Sequence, residues 1–487
     1  MSGGRMFWKG VWGYLPANIA QGVVGFLAIM VFTRLLTPED FGRYAIAFSV
    51  MTLAHVAVFS WLEASMARFW AAQASPREIA AHFAGLYRTA FILMAAFLPV
   101  VAGIVWLLPL HLSLKFAIAA GLFGCPVRCL GKLAQERIRA AGEVRRAAGL
   151  DIYVAIAGFG FGVVFAVLGA GAASPLLGLL LAPLTALPFI LPGEIRQAKD
   201  GVLDRVRLRT YAAYGYPIAA SLALSLVLAS TDRFLLEIFK GEAAVGAYHA
   251  GYSIANRTLD VLFIWLGAAG VPALVMALER GGREALQHAA REQISTFILI
   301  ALPAAAGVAL VAHPLADFLI GEHLRSASAA VTPWVALAAL LSGLTVYYFN
   351  QAFTLGQRTR MMFVTMAIPA LANVALNLAL IPHHGVQGAA WATAASFGVG
   401  LVASIVLGRR VLVMPIPWDA LARCGLACLA MAAVVHLLPA PGGFVELIVK
   451  AGVGAVVYGL AAFALNAAGV RDVARRLIAG RRDGALA

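Results

Sequence analysis

Runs of about 20 apolar residues recur along the whole chain, and short polar or basic stretches separate them. A helix of that length crosses a hydrocarbon core about 30 Å thick, whereas a barrel would show segments of about 10 residues with alternating polarity. The pattern therefore predicts an all-α polytopic membrane protein. We predict fourteen transmembrane spans, at residues 11–33, 43–67, 84–108, 112–134, 148–168, 173–193, 211–231, 246–276, 293–313, 328–352, 361–381, 387–407, 419–438 and 445–468.

Composition and the distribution of basic residues support this class and predict an orientation. Hydrophobic residues make up 62% of the chain and charged residues 12%, against about 25% charge in an average soluble domain. With the N-terminus in the cytoplasm, 29 of the 37 Lys and Arg lie in or beside cytoplasmic segments and 7 on the other side. Both termini are therefore predicted to be cytoplasmic. The net charge of +14 comes mostly from basic residues of the cytoplasmic segments. We predict that these residues face anionic lipid and do not bind nucleic acid. Span 1 is long enough to remain in the membrane, so we expect no cleavable signal peptide.

An internal repeat divides the chain. Residues 42–64 align with residues 246–268, 204 positions further on and without a gap. Seven of the 23 pairs are identical, among them Gly42/Gly246, Tyr44/Tyr248, Ser49/Ser253 and Trp61/Trp265. Glycine, tyrosine, serine and tryptophan in one register indicate a duplication. Because six spans separate the copies, the halves are parallel repeats. We predict a six-helix bundle at 1–200, a second at 201–410, and an additional helix pair with a basic cytoplasmic tail at 411–487.

The chain offers little room for a catalytic or cofactor-binding module. The longest predicted outward loops have about 15 residues, and no Gly-x4-Gly-Lys-Ser/Thr phosphate loop occurs. We therefore expect no enzyme and no cofactor. The pairs Cys125/Cys129 and Cys424/Cys428 have the i, i+4 spacing of half a metal site, but nothing near them in the sequence completes one. We expect these cysteines to act as small hydrophobic residues, and we expect no metal.

Several stretches resemble one family of transporters. Residues 33–44, TRLLTPEDFGRY, are similar to the first outward turn of the Wzx-type polysaccharide flippases. These proteins belong to the superfamily that also includes the MATE multidrug exporters and the lipid II flippase. Further stretches resemble the second half of the same family, namely Tyr214-Gly215-x-Pro217, Asp232-Arg233, Gly246-x-Tyr248 and residues 381–390. Their order and spacing over most of spans 1–12 carry the resemblance, since no single stretch is specific.

The resemblance implies two six-helix bundles that face each other across a central cavity. It implies export of undecaprenyl-pyrophosphate-linked oligosaccharide across the bacterial inner membrane for cell-surface polysaccharide, including lipopolysaccharide. The implied partners are this substrate, membrane lipid, polysaccharide polymerase and glycosyltransferases. In one respect the chain departs from the lipid II flippase, which has several basic residues in its first helices. Span 1 here has no charge between Lys9 and Arg34 and offers Asn18 and Gln21 as candidate substrate-binding residues, which argues against lipid II as substrate.

Arg257 is the strongest candidate for binding a pyrophosphate. It lies 11 residues into span 8, about 16 Å deep and close to the midplane. Arginine at that depth costs about 2.5–3.5 kcal/mol on insertion scales, so it needs a cavity or a partner. Asn256 and Asp260 flank it, and Arg257 and Asp260 have the i, i+3 spacing of a helical pair. Two interpretations remain open, because Arg257 either binds pyrophosphate beside these neighbours or forms a structural pair with Asp260.

Other polar residues within or beside the spans are weaker candidates. His55 in span 2 either lines the cavity or is a buried histidine with satisfied hydrogen bonds, and Glu63 is expected to pair with Arg68. Spans 10 and 11 carry a polar stripe that would bond sugars or neighbouring helices, formed by Asn350, Gln351, Asn373 and Asn377. Candidates for an outer gate, or for simple interface contacts, are Arg34, Asp232 and Arg233.

Two other functions fit fewer of these features. A cation-coupled MATE-like multidrug exporter is the alternative, but such exporters use a buried acid in an early helix of a half. Spans 1 and 7 here contain no acid before Asp232. A membrane glycosyl polymerase or acyltransferase would need an outward catalytic loop or paired acid and base residues. The sequence therefore favours a flippase for lipid-linked oligosaccharide.

Overall fold

The structure is a computed structural model that describes residues 3–70, 73, 75–358 and 360–472; residues 473–487 of the predicted basic tail lie outside this description. The described residues form helices and their connections, with no strand among them. The α-helices are α1 Gly3–Leu35, α2 Pro38–Phe69, α3 Pro76–Leu107, α4 Leu112–Ala140, α5 Val144–Val167, α6 Ser174–Ala198, α7 Arg205–Lys240, α8 Glu242–Leu310, α9 Ala312–Leu319, α10 Glu322–Leu344, α11 Gln351–Leu355, α12 Arg360–Arg409, α13 Trp418–Leu437 and α14 Gly443–Ala464.

Two of these helices are too long for a single crossing. α8 has 69 residues and α12 has 50, which correspond to about 104 Å and about 75 Å of helix. A positive φ interrupts each, at Gly282 with φ 66° and at Gly385 with φ 54°, and glycine adopts this region without a steric penalty. Twelve helices among the described residues are long and apolar enough to span a membrane. The two glycine breaks fall between predicted spans 8 and 9 and between 11 and 12, so the fourteen predicted crossings are accounted for.

The chain forms two compact units, Met1–Gly246 and Ala247–Ala487. In the first unit α7 packs along α2, where the rings of Trp61 and Tyr216 stack with their centroids 4.9 Å apart. The Ser65 hydroxyl donates to the backbone carbonyl of Tyr211 at 3.2 Å. The helix that opens the second sequence repeat therefore lies within the first compact unit, and the division at 200 and 410 stays a prediction about the repeats.

Small residues allow close helix packing inside the first unit. A Cβ built on Gly178 of α6 would lie 2.1 Å from the carbonyl oxygen of Gly158 of α5, so these two backbones touch in the way that small residues permit in membranes. Cys125 of α4 is buried against α2, with its Sγ 3.5 Å from the carbonyl oxygen of Met51. Cys125 thus occupies the place of a small apolar residue.

In the second unit α10 packs on α12, and α13 pairs with α14. The two limbs of α12 fold against each other beyond Gly385, and a Cβ built on Gly400 would lie 3.0 Å from Pro369. Cys424 of α13 is buried and Cys428 is half-buried, and both are free thiols. Among the described residues no group of three His, Cys, Asp or Glu side chains is placed to hold a metal ion.

The repeated glycines meet at the start of α2 and α8. A Cβ built on Gly42 would lie 1.8 Å from the carbonyl oxygen of Glu242, and one built on Gly246 would lie 2.5 Å from that of Pro38. Pro38 and Glu242 are themselves 204 positions apart, so the two glycines make equivalent contacts with each other's flanking backbone. The ring pairs repeat as well, Tyr44 with Phe48 at 5.9 Å and Tyr248 with Tyr252 at 5.8 Å.

Replacing Gly42 by alanine is expected to destabilise the protein by about 1–3 kcal/mol, because the new methyl group meets backbone that cannot rotate away. Gly85→Ala in α3 is the matched control, since nothing lies within 4 Å of its built Cβ; there alanine should be neutral or slightly stabilising. The measurement is thermal unfolding of the purified variants in detergent. Equal unfolding temperatures for the two variants would contradict the close approach of Gly42 and Glu242.

Candidate functional site

The polar side chains of α8 lie on its exposed face. Arg257 and Asp260 are exposed and Asn256 is partly buried. The Asn256 amide donates to the Asp260 carboxylate at 2.5 Å, whereas Arg257 forms no ion pair with Asp260 in the described part of the chain. The structural Arg257–Asp260 pair is therefore not formed. The Arg257 guanidinium is exposed, and the Asp260 carboxylate one turn away already accepts a hydrogen bond from Asn256.

The predicted polar stripe of spans 10 and 11 lies inside the second unit. Asn350 is buried and accepts from Ser404 of α12 at 2.8 Å and from Thr365 at 3.4 Å. Asn377 is fully buried and donates to Asn373 at 2.9 Å. Asn350 thus joins its segment to α12, whereas the bond between Asn373 and Asn377 lies within one limb of α12. The Oδ1 atom of Asn377 is buried without a hydrogen-bond partner among the described residues.

Gln351, in contrast, is partly buried and donates to the carbonyl oxygen of Val346 at 3.4 Å. It follows the short π-helical turn Thr345–Phe349. Such turns widen a helix by one residue and are frequent at functional sites. Because of this turn, the residues that follow it lie on other faces than a regular α-helical period would place them. The residue spacing in the sequence does not reveal this change.

His55 is buried in α2, and its Nε2 lies 2.8 Å from the Glu63 carboxylate. The expected pairing of Glu63 with Arg68 is wrong. The Arg68 guanidinium instead lies 5.7 Å from the centre of the Phe69 ring. The other ring nitrogen, Nδ1, is buried and has no hydrogen-bond partner among the described residues. His55 is therefore a buried histidine whose hydrogen bonds are only half satisfied.

The remaining candidates divide between exposed and buried positions. Asn18 and Gln21 are exposed on α1, as is Arg34, which donates to the Met30 carbonyl oxygen at 2.7 Å. Asp232 and Arg233 are buried near the end of α7. Arg233 donates to the Ala229 carbonyl oxygen at 2.7 Å, and its backbone N–H donates to Asp232 at 2.9 Å. The structure thus keeps the proposed gate residues of α1 and α7 in different environments.

The first unit contains a buried ionic network that the sequence analysis did not identify. Arg137 of α4 donates to Glu194 of α6 through two nitrogens, at 2.6 and 3.1 Å. Tyr87 of α3 donates to the same carboxylate at 3.1 Å, and Arg137 also reaches Glu143 at 2.6 Å. The network joins the ends of α3, α4 and α6 that are predicted to be cytoplasmic. Separating these ends would leave a buried charge without its partner, which is energetically costly.

A second buried acid, Asp151 of α5, forms a separate set of contacts with α4. Asp151 accepts from Arg139 of α4 at 2.9 Å and from Gln135. Gln135 in turn accepts from Lys132 at 2.7 Å. The sequence did carry a signal for these residues, because Asp151 lies inside a predicted span and acids within spans are rare.

A third cluster joins the starts of α2, α4 and α8, at the end predicted to face outward. Arg43 bridges Asp40 at 3.0 Å and Glu242 at 2.5 Å. The Ser113 hydroxyl donates to Asp40 at 3.1 Å. Arg43 and Glu242 of this cluster lie next to and at the close approach of Gly42 to the Glu242 backbone, so ionic and close-packing contacts occur at one place in the first unit.

A family model described as "Polysaccharide biosynthesis protein" matches residues 31–329, more than half of the chain. No curated protein matches it. Among solved structures, the lipid II flippase MurJ in an inward closed conformation is similar at 13% identity, with a TM-score of 0.74 over 94% of this chain and 98% of that one.

Two conformations of a MATE-family multidrug resistance transporter of the MOP superfamily are also similar. The inward-facing one has 16% identity and a TM-score of 0.63, and covers 81% of this chain and 93% of its own. The outward-facing one has 15% identity and a TM-score of 0.57, and covers 83% and 94%. Identities this low establish a shared fold, while the family model establishes kinship. The chain is thus a multi-pass membrane protein that belongs to the polysaccharide biosynthesis protein family, the Wzx-type flippases.

Proposed function

We propose that this protein flips undecaprenyl-pyrophosphate-linked oligosaccharide across the bacterial inner membrane, with both of its termini in the cytoplasm. The observation that carries the proposal is the exposed guanidinium of Arg257 in the predicted span 8, beside Asn256 and Asp260. An arginine there costs insertion free energy. A doubly charged head group that it binds would offset that cost.

The chemistry of the substrate fits this face of α8. Sugar hydroxyls and a pyrophosphate do not belong in hydrocarbon, because each buried polar group without a partner costs roughly 2–7 kcal/mol. The planar guanidinium fork matches phosphate oxygens in a bidentate way. Asp260 and Asn256 add an acceptor and a donor that suit hydroxyl groups.

The other candidate residues take two roles in this proposal. Asn18 and Gln21 are exposed on α1 and are proposed to contact sugars. Arg34 is proposed to act at an outer gate with the residues of α7 described above. His55 is buried and pairs with Glu63 within α2, and Asn350 holds its segment against α12 in this conformation. Contact of these buried residues with substrate would require the surrounding helices to separate.

Such a flippase acts between the synthesis of its substrate and the consumption of its product, and these two reactions indicate its partners. Glycosyltransferases must build the lipid-linked oligosaccharide on the cytoplasmic face before it can be flipped. A polysaccharide polymerase or a transfer enzyme must consume it on the other face. These partners are proposed from the class of the substrate.

A direct test uses the purified protein in proteoliposomes with three compounds, namely fluorescent undecaprenyl-pyrophosphate-linked oligosaccharide, lipid II and a cationic drug. We expect translocation of the oligosaccharide lipid, measured as protection from a quencher that cannot cross the membrane. Drug accumulation coupled to a cation gradient, without oligosaccharide translocation, would identify an exporter instead. Translocation of lipid II alone would reject the proposed substrate.

A further inference from the structure

A groove follows one side of α6 in the first unit. Three prolines lie inside this helix, Pro183, Pro188 and Pro192, and each removes a backbone donor and bends the helix. A cavity with a volume of about 680 Å³ lies along this face of the helix and extends from Leu184 to Lys199. Leucine, proline and isoleucine side chains line most of its length, and the lining ends in two basic residues.

The two basic residues at that end are Arg196 and Lys199, and both are exposed. Neither forms an ion pair with an acidic side chain anywhere in the described ranges. The closest acid on the same helix, Glu194, is buried and bound by Arg137, and Asp200 is exposed and pairs with neither. One end of an otherwise apolar groove thus presents two positive charges.

The length of the groove matches a lipid. From Leu184 to Lys199 the helix rises about 22 Å. One leaflet of hydrocarbon is about 15 Å deep and its head-group layer adds about 5–7 Å. The basic end also belongs to the segment that the positive-inside rule places in the cytoplasm, and that leaflet carries the anionic lipids.

We propose that this groove binds one anionic phospholipid of the cytoplasmic leaflet. One of its two acyl chains lies along the apolar side chains from Leu184 to Ile195, and its phosphate lies between Arg196 and Lys199. Basic pockets on the cytoplasmic side of transmembrane helices suit such head groups. The site is separate from the face of α8 and does not depend on which substrate the protein flips.

The test is native mass spectrometry of the full-length protein in detergent, titrated with phosphatidylglycerol or with phosphatidylcholine of the same chain length. The variant Arg196→Ala/Lys199→Ala is expected to bind phosphatidylglycerol about thirtyfold more weakly. Each basic residue contributes about 1 kcal/mol to the attraction of an anionic lipid, and about 1.4 kcal/mol changes a dissociation constant tenfold. The matched control is Arg409→Ala/Arg410→Ala, which removes two exposed charges on the same predicted side. It should leave the affinity unchanged.

A third variant, Ile195→Trp, fills the groove at an exposed position and keeps both charges. It should weaken binding of the long-chain lipid and spare binding of inorganic phosphate. Equal losses in both double variants would show a general surface-charge effect and overturn the proposal. It would also be overturned if Ile195→Trp left lipid binding intact, or if inorganic phosphate bound as tightly as the lipid.

Discussion

Arg257→Ala is expected to abolish oligosaccharide export while the protein still inserts and accumulates. Loss of one partner of a desolvated charge pair costs about 2–5 kcal/mol, which corresponds to a rate lower by about thirtyfold to several thousandfold. The exposed position of Arg257 and its lack of an ion pair with Asp260 favour survival of the fold. The measurements are surface polysaccharide in cells and translocation in proteoliposomes, each normalised to the amount of protein.

Two further variants separate chemistry from structure. Arg257→Lys should keep part of the activity, because the charge remains and the bidentate fork is lost. Arg280→Ala removes an exposed arginine from the same helix, outside the predicted spans, and should export normally. Normal export by Arg257→Ala would reject the pyrophosphate role. Disappearance of that variant from the membrane would instead assign Arg257 a structural role.

The electrical potential across the membrane is expected to bias flipping more than a thousandfold outward. The pyrophosphate head group of the proposed substrate would carry roughly two negative charges, and each charge gains about 2.3 kcal/mol on crossing 100 mV toward the positive side. The two charges together gain about 4–5 kcal/mol. Because about 1.4 kcal/mol changes an equilibrium ratio tenfold, this gain favours the outward-facing position of the head group by more than a thousandfold.

The measurement is translocation of the lipid-linked oligosaccharide in proteoliposomes that carry a potassium diffusion potential of either sign. Reversing the sign should reverse the direction of net transfer, and protein-free vesicles give the background. A cation that moved in the opposite direction on Asp260 or Glu63 would reduce the electrical bias. Indifference to the potential, combined with dependence on a proton or sodium gradient, would establish antiport in place of a potential-driven carrier.

The crossings could be predicted because they depend on local composition. An apolar run of about 20 residues has one stable arrangement in a bilayer, a helix that satisfies its own backbone. The breaks at Gly282 and Gly385 agree with this, since the basic segment before residue 293 and the His-Gly stretch at 383–385 already divide the spans. The boundaries of the compact units depend on contacts between segments that are distant in the sequence. The internal repeat alone did not predict that α7 packs along α2 in the first unit.

The site was harder to predict, because a polar residue in a span can face a cavity, a neighbouring helix or another side chain. Asn350 and Asn377 share the residue type of Asn256, and the structure buries the first two in contacts between and along helices. Spacing identifies residues on one face of a helix, but it does not identify what that face meets. Glu63 illustrates the point, since its partner lies eight residues before it rather than five after it.

The contact of Asp151 with α4 bears on how the chain enters the membrane during synthesis. An aspartate at the centre of a span raises the free energy of membrane insertion by about 2.5–3.5 kcal/mol, and an aspartate nearer the end of a span raises it less. Its partners Gln135 and Arg139 lie on the preceding helix and leave the ribosome first. α4 and α5 therefore insert most favourably as a hairpin, and the order of translation supplies a partner before the acid reaches the bilayer.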